Sequence, residues 1–492
     1  MTEKFRVERN DVVGRYAIAS TDLESGAEIL TEIPFCVGPK SQTIPVCLGC
    51  YTFVDCSTLC SKCKWPVCSA TCEEDPLHKN AECKIFSAAN VPYQLGENPA
   101  DVSPQYDCIT PLRMLLAKEE DPDRWEKEIK IMEAHSPKRK ETDFWGPEQI
   151  NVVDFLRDRC KLANRYNSDL IHKACGILEV NCFEIKLLSG DFIRGLYPRT
   201  AIPSHNCVAN TTHTIYPSKN YMLQLRTTVN VMEGEEIFTS YTSALLPTFL
   251  RRDNLSYSKY FDCDCARCSD PTELGTHLSS LKCTKCDNGI IISSDPLDAE
   301  AIWKCTHCEF TLRADALRRI YTVVQVEINR LNAIDSKDLV IQAAEKLLKQ
   351  YKSVLHPNNA FNTTVRHTLI QLYGRAEGYT YEDLPDILLE RKIELCKQLL
   401  KVTDVLKPGK NRFRGMILYE LHVPIMIFAR NKYQYGEIDI QTLKKEFEEV
   451  ASILSEAVDA LILEDPESVD GNIGQIAAGS LQELRDSLKD MK

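Results

Sequence analysis

The sequence contains no apolar run approaching the ~18 residues that a membrane-spanning helix needs. It has no greasy leader either: it opens MTEKFRVERN, charged where a secretory signal would be apolar. The chain is therefore read as soluble, without membrane attachment, and working in cytoplasm and nucleus. Positive charge is also scarce. Against 71 acidic residues stand 59 basic ones, a net charge of −12, and a surface of that sign repels a phosphate backbone, so strong nucleic-acid binding is excluded. The imbalance is uneven, because residues 441–492 alone carry twelve acidic and five basic side chains. A basic, lysine-bearing protein is the partner that this favours electrostatically. A tetratricopeptide-type signature of about 34 residues is missing as well.

What the sequence has in abundance is cysteine, 22 of 492 residues. Thiols stay reduced inside cells, so this many in a chain without a leader points to metal ions rather than disulfides. Spacing separates the ligands from the bystanders. Cys47, Cys50, Cys60, Cys63, Cys68, Cys72, His78 and Cys83 supply eight ligands within one short stretch, enough for two tetrahedral zinc sites. So short a segment builds no ordinary core, and metal must supply most of its folding free energy. Cys56 falls outside the pairing and reads as a spectator. LKCTKC and WKCTHC bring Cys283, Cys286, Cys305 and Cys308, two C-x2-C knuckles with 18 residues between them, the spacing of a zinc ribbon.

FDCDCARC offers Cys263, Cys265 and Cys268, one ligand short of a closed site. PSHNCVAN, residues 203–210, holds an unpaired cysteine, Cys207, that could close the set. Four ions follow, all structural, because each set is already four-coordinate and leaves no position for water.

Length beyond one core predicts two to four domains. Residues 84–178 read as a helical insert with polar breaks at QLGENPADVSPQ and SPKRKETDFWGP. Within the second break, PKRK at 137–140 is a short match to a localisation signal and reads first as a solvated loop. Beyond about residue 314 the pattern turns to long amphipathic helices, as in Phe447, Val450, Leu454, Val458 and Leu461, which predicts a bundle of six or seven.

Taken in order, GRYAIASTDLESGAEILTE, the cysteine block 47–83, EVNCFEI, RGLYPRTAIPSHNCVANTTH, MEGEEIFTSYT and LRRDNLSYSKYFDCDCARCSDPTELGTH resemble the SET and MYND domain protein family, and the extra ribbon resembles its arthropod-type SmydA branch. The resemblance covers roughly residues 10–313. It implies an α+β multidomain chain with a knot-like SET β-fold, an inserted MYND zinc finger, a post-SET zinc site, a zinc ribbon and a carboxyl-terminal all-α domain of helical hairpins, tetratricopeptide-like without true repeats. The divisions are 1–46 for the first part of SET, 47–83 for MYND, 84–249 for the insert and SET core, 250–275 for post-SET, 276–313 for the ribbon and 314–492 for the helices.

By the same resemblance the chain is a protein-lysine methyltransferase that uses S-adenosylmethionine and acts, as a monomer, on an accessible lysine of a histone or non-histone protein. The MYND finger is implied to hold proline-containing peptides. Carried over to this sequence, Gly14 and Arg15 approach the cofactor through their backbones, Asn181, Ser204 and His205 hold its amino-acid and adenine portions, Phe261 stacks on the adenine, and Tyr241 is catalytic. Two positions depart from the family pattern. The turn reads S-H-N-C-V-A-N where N-H-S-C-x-P-N is usual, and Tyr16 stands at a common glycine position, with a cost of about 1 to 2 kcal/mol if its backbone is left-handed. These departures leave an alternative, a weak or inactive adaptor in transcriptional regulation.

Overall fold

The computed structural model describes residues 3–491. Near the amino end, Phe5–Asn10 and Gly14–Ala19 form an antiparallel hairpin with Asn10 opposite Gly14. The Asn10 side-chain oxygen accepts the Val12 and Val13 amides at 2.9 and 2.8 Å, and Gly14, at φ +74°, makes the left-handed step back into the ladder. Ala17, Ile18 and Ala19 are buried. Tyr16 lies in the same strand, outside the left-handed region, with its hydroxyl donating to Glu8 at 3.1 Å. The glycine-to-tyrosine departure therefore brings no backbone strain.

Three small sheets build this part of the fold, and the hairpin forms the edge of the first. The first has the order Phe5–Asn10, Gly14–Ala19, Glu236–Thr239, Ser204–His205. Its last pairing is parallel, Phe238 opposite Ser204 and Thr239 opposite His205. The second sets Glu28–Glu32 and Thr211–Tyr216 on either side of Met222–Thr227. The third sets Cys36–Pro39 and Cys182–Lys186 on either side of Phe192–Leu196. In the second half of Thr211–Tyr216, buried Thr214 and Tyr216 alternate with half-buried His213 and Ile215, as in a half-covered strand.

The cysteine block leaves the third sheet after Pro39 and packs on the helical insert. Trp65 is fully buried, stacks on Phe86 with ring centroids 4.5 Å apart, and donates its indole N–H to Val91. Arg113, buried on helix Ile109–Glu120, donates to Glu82 and to the carbonyls of Val37 and Leu48, and so joins insert, zinc module and sheet. The segment read as a solvated break at 136–147 is instead two short helices, Ser136–Arg139 and Trp145–Glu148. Arg139 is 2% exposed and pairs with Glu148 and Glu179, so PKRK is neither a solvated loop nor a free basic signal. Local composition showed a proline and three basic residues, and the carboxylates of Glu148 and Glu179 drew one of the three inside.

Leu281–Lys282, Ile290–Ser293, Trp303–Cys305 and Thr311–Leu312 form the ribbon sheet. Seven helices follow, from Ala314–Asn332 to Val469–Asp490. In the first of them Leu317, Tyr321, Val324, Ile328 and Leu331 recur at helical spacing and are all buried. The helices dock back on the second sheet, where the Lys410 amide donates to Thr228 at 2.8 Å and Glu464 accepts from Thr214 and Arg226. Among the described residues no helix is long and apolar enough to cross a membrane.

Candidate active site and metal centres

Four sets of ligand atoms converge, each with all members within 4.8 Å of one another: Cys47, Cys50, Cys68 and Cys72; Cys60, Cys63, His78 and Cys83; Cys207, Cys263, Cys265 and Cys268; Cys283, Cys286, Cys305 and Cys308. Every ligand expected from the spacing is used. The first two sets interleave along the chain, an arrangement that spacing alone left undivided. Sulfurs 2.3 Å from a tetrahedral ion lie about 3.8 Å apart. Cys60 and Cys83 are at 3.7 Å, Cys283 and Cys308 at 3.7 Å, and Cys207 and Cys268 at 3.5 Å. Those separations fit zinc and are far too long for a disulfide. Cys56 is buried and outside every set.

The sites carry supports that the sequence reading missed. His78 points Nε2 at Cys63 and Nδ1 at Glu82, 2.9 Å away, while Glu82 is held by Arg113. A carboxylate behind a ligating imidazole fixes the ring's tautomer and direction. Glu82→Gln is expected to lower zinc affinity at this site by about tenfold to a hundredfold, read by competition with a chromogenic chelator; unchanged affinity would remove the carboxylate from any such role. In the ribbon, a Cβ on Gly289 would lie 2.2 Å from the Cys305 sulfur and 2.7 Å from that of Cys286, so only glycine fits.

The third set sits against the parallel pairing of the first sheet. His205 Nδ1 accepts the Tyr241 amide at 3.0 Å, which leaves Nε2 as the protonated nitrogen, aimed at the Cys207 sulfur at 3.3 Å. Arg251, fully buried, donates to the Cys207 and Cys268 sulfurs at 3.2 and 3.4 Å and to Glu273 at 2.7 Å. Its charge offsets the excess negative charge of four thiolates on one divalent ion.

Tyr241 follows the strand Glu236–Thr239 and its hydroxyl donates to the Pro203 carbonyl at 2.8 Å. Its ring lies 5.2 Å from that of His205 and 6.5 Å, edge-on, from Phe261; His205 and Phe261 are 5.9 Å apart. Burial pushes the phenol well above its ordinary pKa, so it is a neutral hydroxyl. Tyr241, His205, Cys207 and Phe261 are thus one cluster beside the third metal set.

The remaining expected contacts are placed as follows. Ser204 donates its hydroxyl to Glu236, the residue that pairs with Ile18 across the sheet. Asn181 ends the helix Ser168–Asn181 and donates its side-chain amide to Glu133 and Ile177, both at 2.9 Å. With both ring nitrogens of His205 engaged as well, Ser204 and His205 brace the turn from within, while Asn181 ties the end of its own helix to Glu133. Gly14 lies at the hairpin turn beside Arg15, whose guanidinium, lowered in pKa by burial and then by Arg9 opposite, has no ion-pair partner among the described residues. Asn210, which sequence reasoning passed over, donates to the Glu236 carbonyl and accepts the Phe238 amide, holding the strand that leads to Tyr241. Its place at the end of PSHNCVAN was the available signal.

No family model matches the chain. Among curated proteins it is 28% identical over 364 residues to the SET domain-containing protein SmydA-8, isoform A, of Drosophila melanogaster, covering 68% of this chain and 71% of that one. It is 26% identical over 343 residues to the N-lysine methyltransferase SMYD2 of Gallus gallus, covering 67% and 68%. Among solved structures, that of the SET domain of LSMT bound to lysine and AdoHcy aligns over 100% of this chain and 89% of that one, at 11% identity and a TM-score of 0.29, a likeness too slight to argue from. The relatives are of the SET and MYND kind, SmydA included, to which the ordered motifs also point.

Proposed function

We propose that the chain is an S-adenosylmethionine-dependent protein-lysine N-methyltransferase. Relatives named as N-lysine methyltransferases support this reading. The observation that carries it is the half-buried, neutral Tyr241 hydroxyl, seated with His205 and Phe261 directly on a four-cysteine set. S-adenosylmethionine, when bound, supplies an electrophilic methyl group. Gly14 and Arg15 at the hairpin, the 204–205 turn, Asn181 and the face of Phe261 are the groups that would hold it.

A target lysine must arrive as a neutral amine although its free pKa is about 10.4, and loss of water on entering an apolar site disfavours the ammonium form. Tyr241 orients the amine and stabilises the charge that shifts as the methyl moves. Its hydroxyl does this as a fixed dipole, because burial holds the proton on. The work is chiefly placement. Tyr241→Phe is expected to lower transfer of labelled methyl to a protein extract by about a hundredfold, with cofactor affinity by calorimetry nearly unchanged. Absence of binding at millimolar cofactor would overturn the reading.

The substrate is a histone or non-histone protein with an accessible lysine, met by a monomer in cytoplasm or nucleus. Phe53, Leu59 and Leu77 are 46%, 41% and 38% exposed on the 47–83 module and supply an apolar surface for a proline-containing peptide. The same module supports the second reading, an adaptor in transcriptional regulation, since it stands on its own two metal sets whatever Tyr241 does. Retention of every partner by Cys60→Ser with Cys63→Ser would count against that reading.

A further inference from the structure

Lys259 closes the helix Thr248–Lys259, and Tyr260 next to it takes a left-handed conformation, φ 63°, that turns the chain. The Lys259 ammonium donates to the Val180 carbonyl at 2.5 Å and lies 5.8 Å from the centre of the Tyr241 ring. Among the described residues it has no carboxylate within ion-pair distance. The nearby Glu179 is occupied by Arg139 and by the Tyr260 hydroxyl. Burial pulls the Lys259 pKa below its ordinary value, while Cys182 and then Glu179 oppose that. A carbonyl acceptor and an aromatic face are the surroundings of a cation.

Resting on the methyltransferase reading, we propose that Lys259 is a specificity-determining charge of the Tyr241 site, selecting neutral ligands over cationic ones. Both reactants of methyl transfer are cations in water, the sulfonium donor and the lysine ammonium, whereas the thioether product and the reactive amine are neutral. A fixed positive charge in the wall weakens the donor relative to its demethylated product. The same charge favours a target lysine that has lost its proton, since like charges nearby disfavour the ammonium form. Lys259 would thus make the site hold its spent cofactor and admit amines already deprotonated.

The test compares affinities of the full chain for S-adenosylmethionine and S-adenosylhomocysteine by calorimetry, in the native protein, Lys259→Met, Lys259→Gln and Lys259→Arg, each checked for four zinc ions. The ratio of the two affinities is expected to move about tenfold toward S-adenosylmethionine in the Met and Gln variants, from a Coulomb repulsion at an effective dielectric of about 20. It is expected to stay within about twofold of native in the Arg variant. If removal of the charge changes both affinities equally, or neither, Lys259 only packs and the inference is overturned. If no chain binds either compound, the cofactor reading falls and this inference with it.

Discussion

Cys207→Ser is expected to yield a chain carrying three zinc ions instead of four, to lower the stability of the 200–275 region by several kcal/mol, and to abolish cofactor binding. Cys207 is 1% exposed and is the ligand that comes from the SET-like sheets, the other three coming from 263–268. Structural zinc contributes about 10–16 kcal/mol in isolated finger peptides, so even partial loss is large beside the ~5–15 kcal/mol that stabilises a typical domain. The effect spreads because His205 Nε2 and Arg251 both aim at this sulfur. Without the ion His205 loses its anchor, and the Tyr241 amide and the Phe261 ring lose theirs through it. Metal content by plasma emission, with Cys56→Ser as a buried control outside the sets, checks the count. Four ions retained in Cys207→Ser would dismantle the proposed cradle.

The second large effect is expected at Glu273. One of its carboxylate oxygens accepts from Arg251 and Arg267, both at 2.7 Å, and the other accepts the Thr248 amide at 3.2 Å and the Ser279 hydroxyl. All three charged side chains are buried. Burial alone would raise the Glu273 pKa, yet Arg267 and then Arg251 hold it below the ordinary carboxylate value. Glu273→Ala leaves two guanidinium groups without a counter-charge, and breaking such a buried pair costs about 3–5 kcal/mol. A fall in denaturant midpoint of that size is expected, larger than for an exposed pair such as Arg313 with Asp315, where well under 1 kcal/mol is typical. A Glu273→Ala chain with native midpoint would show that the arginines are otherwise neutralised.

Fifteen of the sixteen metal ligands were legible because they recur at short fixed spacings that serve little other purpose, and Cys207, one of eight cysteines outside those spacings, because of the PSHNCVAN stretch around it. The helical bundle was legible from periodicity, and its seven helices lie within the expected six or seven. What escaped was everything whose partner is distant in sequence. Arg251, Glu273 and Asn210 are ordinary polar letters until folding sets them against sulfurs and amides 17 to 44 residues away. Ser204 and His205 were read as facing a ligand, and the folded chain turns both side chains toward Glu236 and Cys207. A motif names the residue types in a turn, whereas the direction of each side chain depends on strands that the motif does not contain.

The parallel pairing of Ser204–His205 with Phe238–Thr239, beside a metal set whose last ligand in the chain is Cys268, sets a timetable for synthesis. A ribosome making this chain releases the hairpin and the first two cysteine sets early, yet the cluster of Tyr241, His205 and Phe261 lacks its full metal set until Cys268 has left the exit tunnel. A nascent chain stalled before that point would hold finished zinc knuckles and an unfinished Tyr241 cluster.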